Sequence, residues 1–171
     1  SHGDQEIFTL KEMRALFDIG DVNKSASAIN PDKLAWISQQ HMMRLPPSRI
    51  AVELRWQFER LGVDVSNGPP LEAIVEAQRE RSKTLKEMAR ASVFFFRDPE
   101  TYEEKAARKN FTAESMALLK TTREALAVLA DWSAPPIHAL IEELAAKAAV
   151  GLAKLAQPLR VAVSGGGVSP P

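Results

Sequence analysis

The chain has 171 residues, 22 of them Lys or Arg and 22 Asp or Glu, with no Cys and 45% hydrophobic residues. Zero Cys excludes a disulfide framework and any Cys-ligated zinc or iron–sulfur site, and fits a reducing cytoplasm. A net charge of zero argues against a whole-surface nucleic-acid binder but leaves room for a local basic patch, and the length suits one large domain or two small ones with a core of their own.

Ala, Leu, Glu, Lys and Arg dominate, and alternating β-branched runs are absent apart from Leu159-Arg-Val-Ala-Val163. The expected class is therefore all-α, with helices punctuated by Pro and Gly. Thr9 and Glu12 have capping-box spacing for a first helix, with Met13, Leu16 and Phe17 as its apolar stripe and Gly20 at its end. Asn30-Pro31-Asp32 opens a second, because Asn is a good N-cap and Pro loses no needed hydrogen bond at the first helical position. Leu34, Ile37 and His41 share a face there, and Leu45-Pro46-Pro47 stops it. A third helix spans about Ser48 to Leu61, with Ile50, Leu54, Phe58 and Leu61 inward and Gly62 at the position just past the end where a positive φ is cheap.

After the loop Asn67-Gly-Pro-Pro70, Leu71 to about Phe96 reads as one long helix or two short ones, broken by Arg97-Asp-Pro-Glu-Thr101. Thr112 to Asp131 reads as a helix with Met116, Leu119, Leu126 and Leu129 inward. Ser133-Ala-Pro-Pro136 opens another, Ile137 to about Val150, ended by Gly151. Leu155-Ala-Gln-Pro158 leads into a short apolar segment and then the Gly-rich stretch to Pro171. A closing Ser-Pro-Pro caps nothing and packs little, so the tail reads as an unfinished segment. Breaks near Pro46 and Pro99 suggest three units, and no internal repeat is visible.

Catalytic signals are weak. No P-loop, Gly-x-Ser-x-Gly or His-Glu-x-x-His occurs. His2 is terminal, His41 sits on an apolar stripe, and His138 has Glu142 one turn on but no third ligand, which makes a poor metal site. Gly165-Gly-Gly167 is not followed by a helix start with a Lys, so it is no phosphate cradle. No apolar run reaches the ~18 residues of a membrane helix, and the N-terminus lacks the basic and apolar parts of a signal peptide.

Nucleic acid offers a better match. Nine basic and six acidic residues lie between Arg79 and Lys109. A solvated helix face with salt-bridge spacing, such as Lys83 to Glu87, explains that cheaply. The sharper reading uses Arg81, near a helix start: a guanidinium can read a splayed base edge by paired hydrogen bonds or stack on it. Phe94-Phe-Phe96 is a stacking candidate in which at least one ring is expected to be exposed or at a helix end. Trp36, Trp56 and Trp132 are expected to anchor cores rather than RNA.

Five stretches in order then carry a family resemblance: Ser1-His-Gly-Asp-Gln-Glu-Ile-Phe8, Phe17-Asp-Ile-Gly-Asp-Val-Asn-Lys-Ser-Ala-Ser-Ala28, Asn30-Pro-Asp-Lys-Leu-Ala-Trp-Ile37, Arg79-Glu-Arg-Ser-Lys-Thr-Leu-Lys-Glu87 and Ala156-Gln-Pro-Leu-Arg-Val-Ala-Val-Ser-Gly165. Together they span nearly the whole chain, which resembles the C-terminal half of bacterial glutamyl-tRNA synthetases. That resemblance implies a class I enzyme joining glutamate to its tRNA with ATP and magnesium, through His-x-Gly-His and Lys-Met-Ser-Lys-Ser motifs that this chain lacks. It implies an inactive chain without cofactor of its own, comprising the end of the stem-contact region (about 1–45) and two helical anticodon-binding subdomains (46–102 and 103–171).

Residue by residue, the resemblance assigns anticodon reading to Arg81, with Arg79 beside it on phosphate. Arg160, Ser169 and Pro170 form the second anticodon contact region. The family continues from there into a final helix not found here, so residues after Gly165 are expected to be loose. Phosphate contacts are expected from Lys83, Lys86, Lys105, Arg108 and Lys109. The implied partner is tRNA-Glu through its anticodon loop, with no membrane, no DNA and a monomeric state. Two rivals stay open: a helical protein-interaction scaffold, favoured by neutral charge and the Ala-rich 112–154 segment, and a small helical enzyme using His138 and Glu142.

Overall fold

The computed structural model describes residues 5–22, 24, 25 and 28–169. Among them the regular structure is α1 (Leu10–Leu16), α2 (Pro31–Arg44), α3 (Pro47–Arg60), α4 (Leu71–Gln78), α5 (Leu85–Ala91), α6 (Glu104–Asn110), α7 (Ala113–Ala127), α8 (Ala134–Lys147) and α9 (Leu152–Ser164), with two 3-10 turns and no strand. The expected all-α class is the observed one. No helix among the described residues is long and apolar enough to cross a membrane. The chain divides into two compact units, residues 1–92 and 93–171.

In the first unit, α1 begins with the expected capping box: Thr9 Oγ1 accepts from Glu12 N at 3.2 Å, and Thr9 N donates to Glu12 Oε2 at 2.7 Å. The helix stops three residues earlier than expected, because Phe17 turns to extended backbone. Gly20 lies instead in the 3-10 turn Ile19–Asp21, donating its N–H to the Asp18 carboxylate at 2.7 Å. No α1 residue is buried, so Met13, Leu16 and Phe17 form an exposed apolar stripe rather than a core contact.

Asn30 caps α2 as expected, its side-chain oxygen accepting from Asp32 N and Lys33 N. The buried residue of that helix is Met42, while Leu34 is exposed and Ile37 and His41 are half-buried. The core of this unit comes from α3, whose Ile50, Leu54 and Phe58 are spaced one turn apart and buried against Leu71, Ile74 and Val75 of α4 and Met88 and Ala89 of α5. Each fully buried aliphatic or aromatic side chain of this kind contributes about 1.5–3 kcal/mol. Past α3, Gly62 adopts φ 65°, and the pair Gly62 N to Glu59 O and Val63 N to Phe58 O, both 3.0 Å, satisfies the last carbonyls. The segment expected as one long helix or two short ones is two, α4 and α5, followed by the 3-10 turn Val93–Phe95.

In the second unit α9 packs on α6, α7 and α8. Helix α6 has no clear signal in the sequence. Seven residues leave room for one apolar stripe position, and only Ala106 is buried. Helix α7 ends at Ala127 rather than Asp131, and its buried positions are Ser115 and Thr122. Their hydroxyls are satisfied: Ser115 completes a capping box with Thr112 and donates to Asn110 O at the end of α6, and Thr122 Oγ1 donates to Leu118 O at 2.8 Å. Met116, expected inward, is 52% exposed.

Helix α8 ends without a glycine. Ala149 takes the left-handed conformation at φ 54°, with Ala149 N on Ala146 O and Val150 N on Ala145 O at 3.0 Å each, and Gly151 becomes the N-cap of α9. The strand-like run Leu159–Val163 lies inside α9, where Val161 is fully buried and Val163 is 53% exposed. A strand would put both on one face. The buried set Leu155, Pro158, Val161 has helical spacing, and the helix runs on through Pro158.

Candidate nucleic-acid interface

The sequence pointed to two Arg-centred regions, one in each compact unit. In the first, Arg79, Glu80 and Arg81 lie in the turn that joins α4 to α5, not at a helix start. The turn is wound tightly on the end of α4: Arg79 N donates to Val75 O at 2.9 Å, and Arg81 N and Ser82 N both donate to Gln78 O at 3.0 Å. Gln78 itself is buried and donates through Nε2 to Ser92 Oγ at 3.2 Å and Ala91 O at 3.4 Å, which fixes the end of α4 against the end of α5. From α2, Gln39 Nε2 donates to Glu80 O at 2.8 Å and reaches Arg79 O at 3.5 Å. Arg79 is half-buried and Arg81 is exposed.

The start of α5 is braced as well. Thr84 Oγ1 accepts from Glu87 N at 3.2 Å, and Glu87 Oε2 accepts from the backbone N–H of Lys83 at 2.7 Å. The Lys83–Glu87 spacing is therefore used for capping, and Lys83 keeps its ammonium out of any ion pair among the described residues. Lys86 and Arg90 are one turn apart on α5 and exposed. With Lys83 and with Asp32 and Ala35 of α2 they line an open groove. Arg90 adds to this basic face at i,i+4 from Lys86, a spacing legible in the sequence.

In the second unit, Arg160 on α9 and Ser169 are brought together: Arg160 Nε donates to Ser169 Oγ at 3.0 Å. Ser164 Oγ donates to Arg160 O at 2.7 Å and Gly166 O at 3.1 Å. Glu103, which no motif or spacing singles out, ties this segment from the start of α6, its N–H on Gly165 O at 2.8 Å and its Oε2 accepting from Gly167 N at 3.4 Å. Among the residues after Gly165, Gly166, Gly167 and Ser169 have hydrogen-bond partners, while Val168 is 82% exposed. Pro170, like His2, lies outside the described residues.

Lys105, Arg108 and Lys109 are exposed on α6 at i, i+3 and i+4, a single face. Arg108 is already paired, with Glu104 at 2.7 Å. Phe94, Phe95 and Phe96 are all half-buried, with the first two rings 4.3 Å apart; of the two expected placements it is the helix end that is found, Phe95 closing the 3-10 turn Val93–Phe95, and none of the three rings is exposed. Two tryptophans expected in cores are outside them: Trp56 is 51% exposed beneath the Arg60 guanidinium, and Trp132 is 63% exposed. Trp36 is half-buried, with Lys33 over its ring. His138 Nδ1 stands 3.5 Å from Glu142 Oε2 on the exposed face of α8, and no group of three metal-binding side chains forms among the described residues.

The chain as a whole is 53% identical to a glutamate–tRNA ligase of Alkalilimnicola ehrlichii and 52% identical to one of Halorhodospira halophila. Both matches cover all 171 residues here, and the chain spans 36% of the length of each relative. Among solved structures, it superposes on a glutamate tRNA ligase from Elizabethkingia meningosepticum with a TM-score of 0.80 at 29% identity, covering 97% of this chain and 33% of that one. A glutamate–tRNA synthetase from Elizabethkingia anophelis gives a TM-score of 0.75 at 28% identity, with 97% and 32% coverage. Residues 45–171, which hold both Arg-centred regions, match the anticodon binding domain family, and the chain belongs to that family.

Proposed function

We propose that this chain is the tRNA-recognising part of a glutamate–tRNA ligase and that it reads the anticodon loop of tRNA-Glu. The observation that carries the proposal is the Arg79–Arg81 turn: two arginines on a backbone held by three groups, the Val75 and Gln78 carbonyls and the Gln39 amide, with the turn inside the family-matched region. Anticodon loops present unstacked bases with free Watson–Crick edges, which a duplex denies. A guanidinium on a rigid turn suits that target, because its fork is planar and always charged. In this proposal Arg81 reads a base, Arg79 contacts phosphate beside it, and Arg160 with Ser169 and Pro170 contacts another part of the loop. Lys83, Lys86, Lys105, Arg108 and Lys109 add phosphate contacts, which position the RNA and make affinity salt-dependent.

The proposal includes the division into the end of a stem-contact region (1–45) and two anticodon-binding subdomains (46–102 and 103–171). Ligation of glutamate, with ATP and magnesium, is assigned to the rest of the longer ligase, and the whole to the cytoplasm. The test is competition binding. A tRNA-Glu anticodon stem-loop should displace labelled tRNA-Glu from the chain, and an acceptor-stem hairpin of the same tRNA should not. Equal displacement by both hairpins contradicts the proposal.

A further inference from the structure

The turn that carries Arg79 and Arg81 is held from a helix 40 residues away in sequence. The last carbonyls of a helix have no partner within it, and at an exposed end they go to water or to a side chain. At the end of α4 the Gln78 carbonyl is taken by Arg81 N and Ser82 N. The next two carbonyls, of Arg79 and Glu80, face the amide of Gln39 on α2, at 3.5 and 2.8 Å. Gln39 thus caps α4 from another helix, and it grips the two peptide units that lie between the arginine side chains. It also lies outside the family-matched region 45–171.

We propose that Gln39 is a positioning residue for base reading: its amide, bonded to the carbonyls of Arg79 and Glu80, fixes the turn from which Arg81 meets the anticodon base. This rests on the reading of Arg81 proposed above. A reading group must be held to within about 0.5 Å and 10–20° of its productive geometry. A turn bonded only to its own helix can rock about the α4 end. A second helix bonded to its carbonyls removes that freedom. Gln39 touches no base and adds no charge, so its effect falls on discrimination between bases more than on affinity.

The experiment uses the 171-residue chain and two stem-loops, the tRNA-Glu anticodon arm and the same arm with one anticodon base changed. The ratio of the two Kd values is measured for wild type, Gln39→Glu, Gln39→Lys and Arg81→Ala, with Tm recorded for each. Gln39→Glu keeps the shape but sets a carboxylate against two carbonyl oxygens, while Gln39→Lys keeps a donor at that reach. The expected result is a ratio about five-fold lower in Gln39→Glu, the worth of one net hydrogen bond, and near wild type in Gln39→Lys. If Gln39→Glu leaves the ratio intact, or weakens both stem-loops equally, while Arg81→Ala collapses it, Gln39 does not position the reader and the reading of Arg81 stands. If Arg81→Ala also leaves the ratio intact, base reading by Arg81 fails, and the role of Gln39 with it.

Discussion

Arg160 Nε and Ser169 Oγ are 3.0 Å apart, nine residues distant in sequence and joined across the turn that ends α9. The bond holds the guanidinium by one nitrogen and leaves its planar end to other partners. Arg160→Ala is therefore expected to weaken binding of the anticodon stem-loop by about 1–3 kcal/mol, the range for a base-reading arginine. Ser169→Ala should cost less, about 1 kcal/mol, because it removes only the bond that orients Arg160. Isothermal titration of both variants checks the order, and a larger loss for Ser169→Ala would contradict it.

Gly165 ends α9 at φ 78°, and a Cβ there would stand 3.0 Å from Pro99 Cβ and 3.1 Å from Thr101 O. Backbone strain and crowding then act together. Gly165→Ala should destabilise the chain by at least the ~1–2 kcal/mol of a left-handed L-residue. Thermal unfolding measures it, and an unchanged Tm would count against the fold described for the second unit.

Ala149 presents the opposite case. It holds φ 54° at the end of α8 with both terminal carbonyl bonds already made. Ala149→Gly should relieve about 1 kcal/mol of strain while keeping those bonds, raising Tm by roughly 2–4 °C for a chain of this size. A lower Tm would mean that the left-handed turn is absent.

The capping box at Thr9 gives a pH prediction. The Thr9 N–H, and then its hydroxyl, bond the Glu12 carboxylate and hold its pKa below the usual glutamate value. A lowered folded-state pKa means that the stabilisation is complete above the unfolded pKa and is lost as pH falls through the folded one. The start of α1 should therefore loosen in acid, below the ordinary glutamate range. Carboxyl carbon shifts of Glu12 should titrate low, and Thr9→Val should move the midpoint only part of the way back, since the N–H donor remains. A Glu12 midpoint at the ordinary value would refute the cap.

Much of the first unit could be read from sequence, because its signals are local. Thr9 with Glu12, Asn30 with Pro31, and Gly62 after the Ile50-Leu54-Phe58 stripe are each set by neighbours within a few residues, and each is found in place. The failures arise where distant contacts decide. Leu159–Val163 alternates like a strand, but burial of Leu155, Pro158 and Val161 against three other helices selects a helix. Helix α6 has too few apolar positions to show a period. Ala149 takes a conformation that sequence assigns to Gly. At the candidate interface, the exposed cations could be listed from sequence, but the braces could not. Gln39 on Glu80 and Glu103 on Gly165 join residues 41 and 62 positions apart, and no spacing rule reaches so far.

The central claim is that Arg81 reads a base. The most direct measurement is an amide-shift titration of the chain with the tRNA-Glu anticodon stem-loop, repeated for Arg81→Ala and across a salt series. The account predicts shifts concentrated at residues 79–86 and 159–169, with the first group lost in the variant and persisting at moderate salt in the wild type. Weak, diffuse shifts that vanish with salt and ignore Arg81 would mean generic phosphate attraction, and would contradict it.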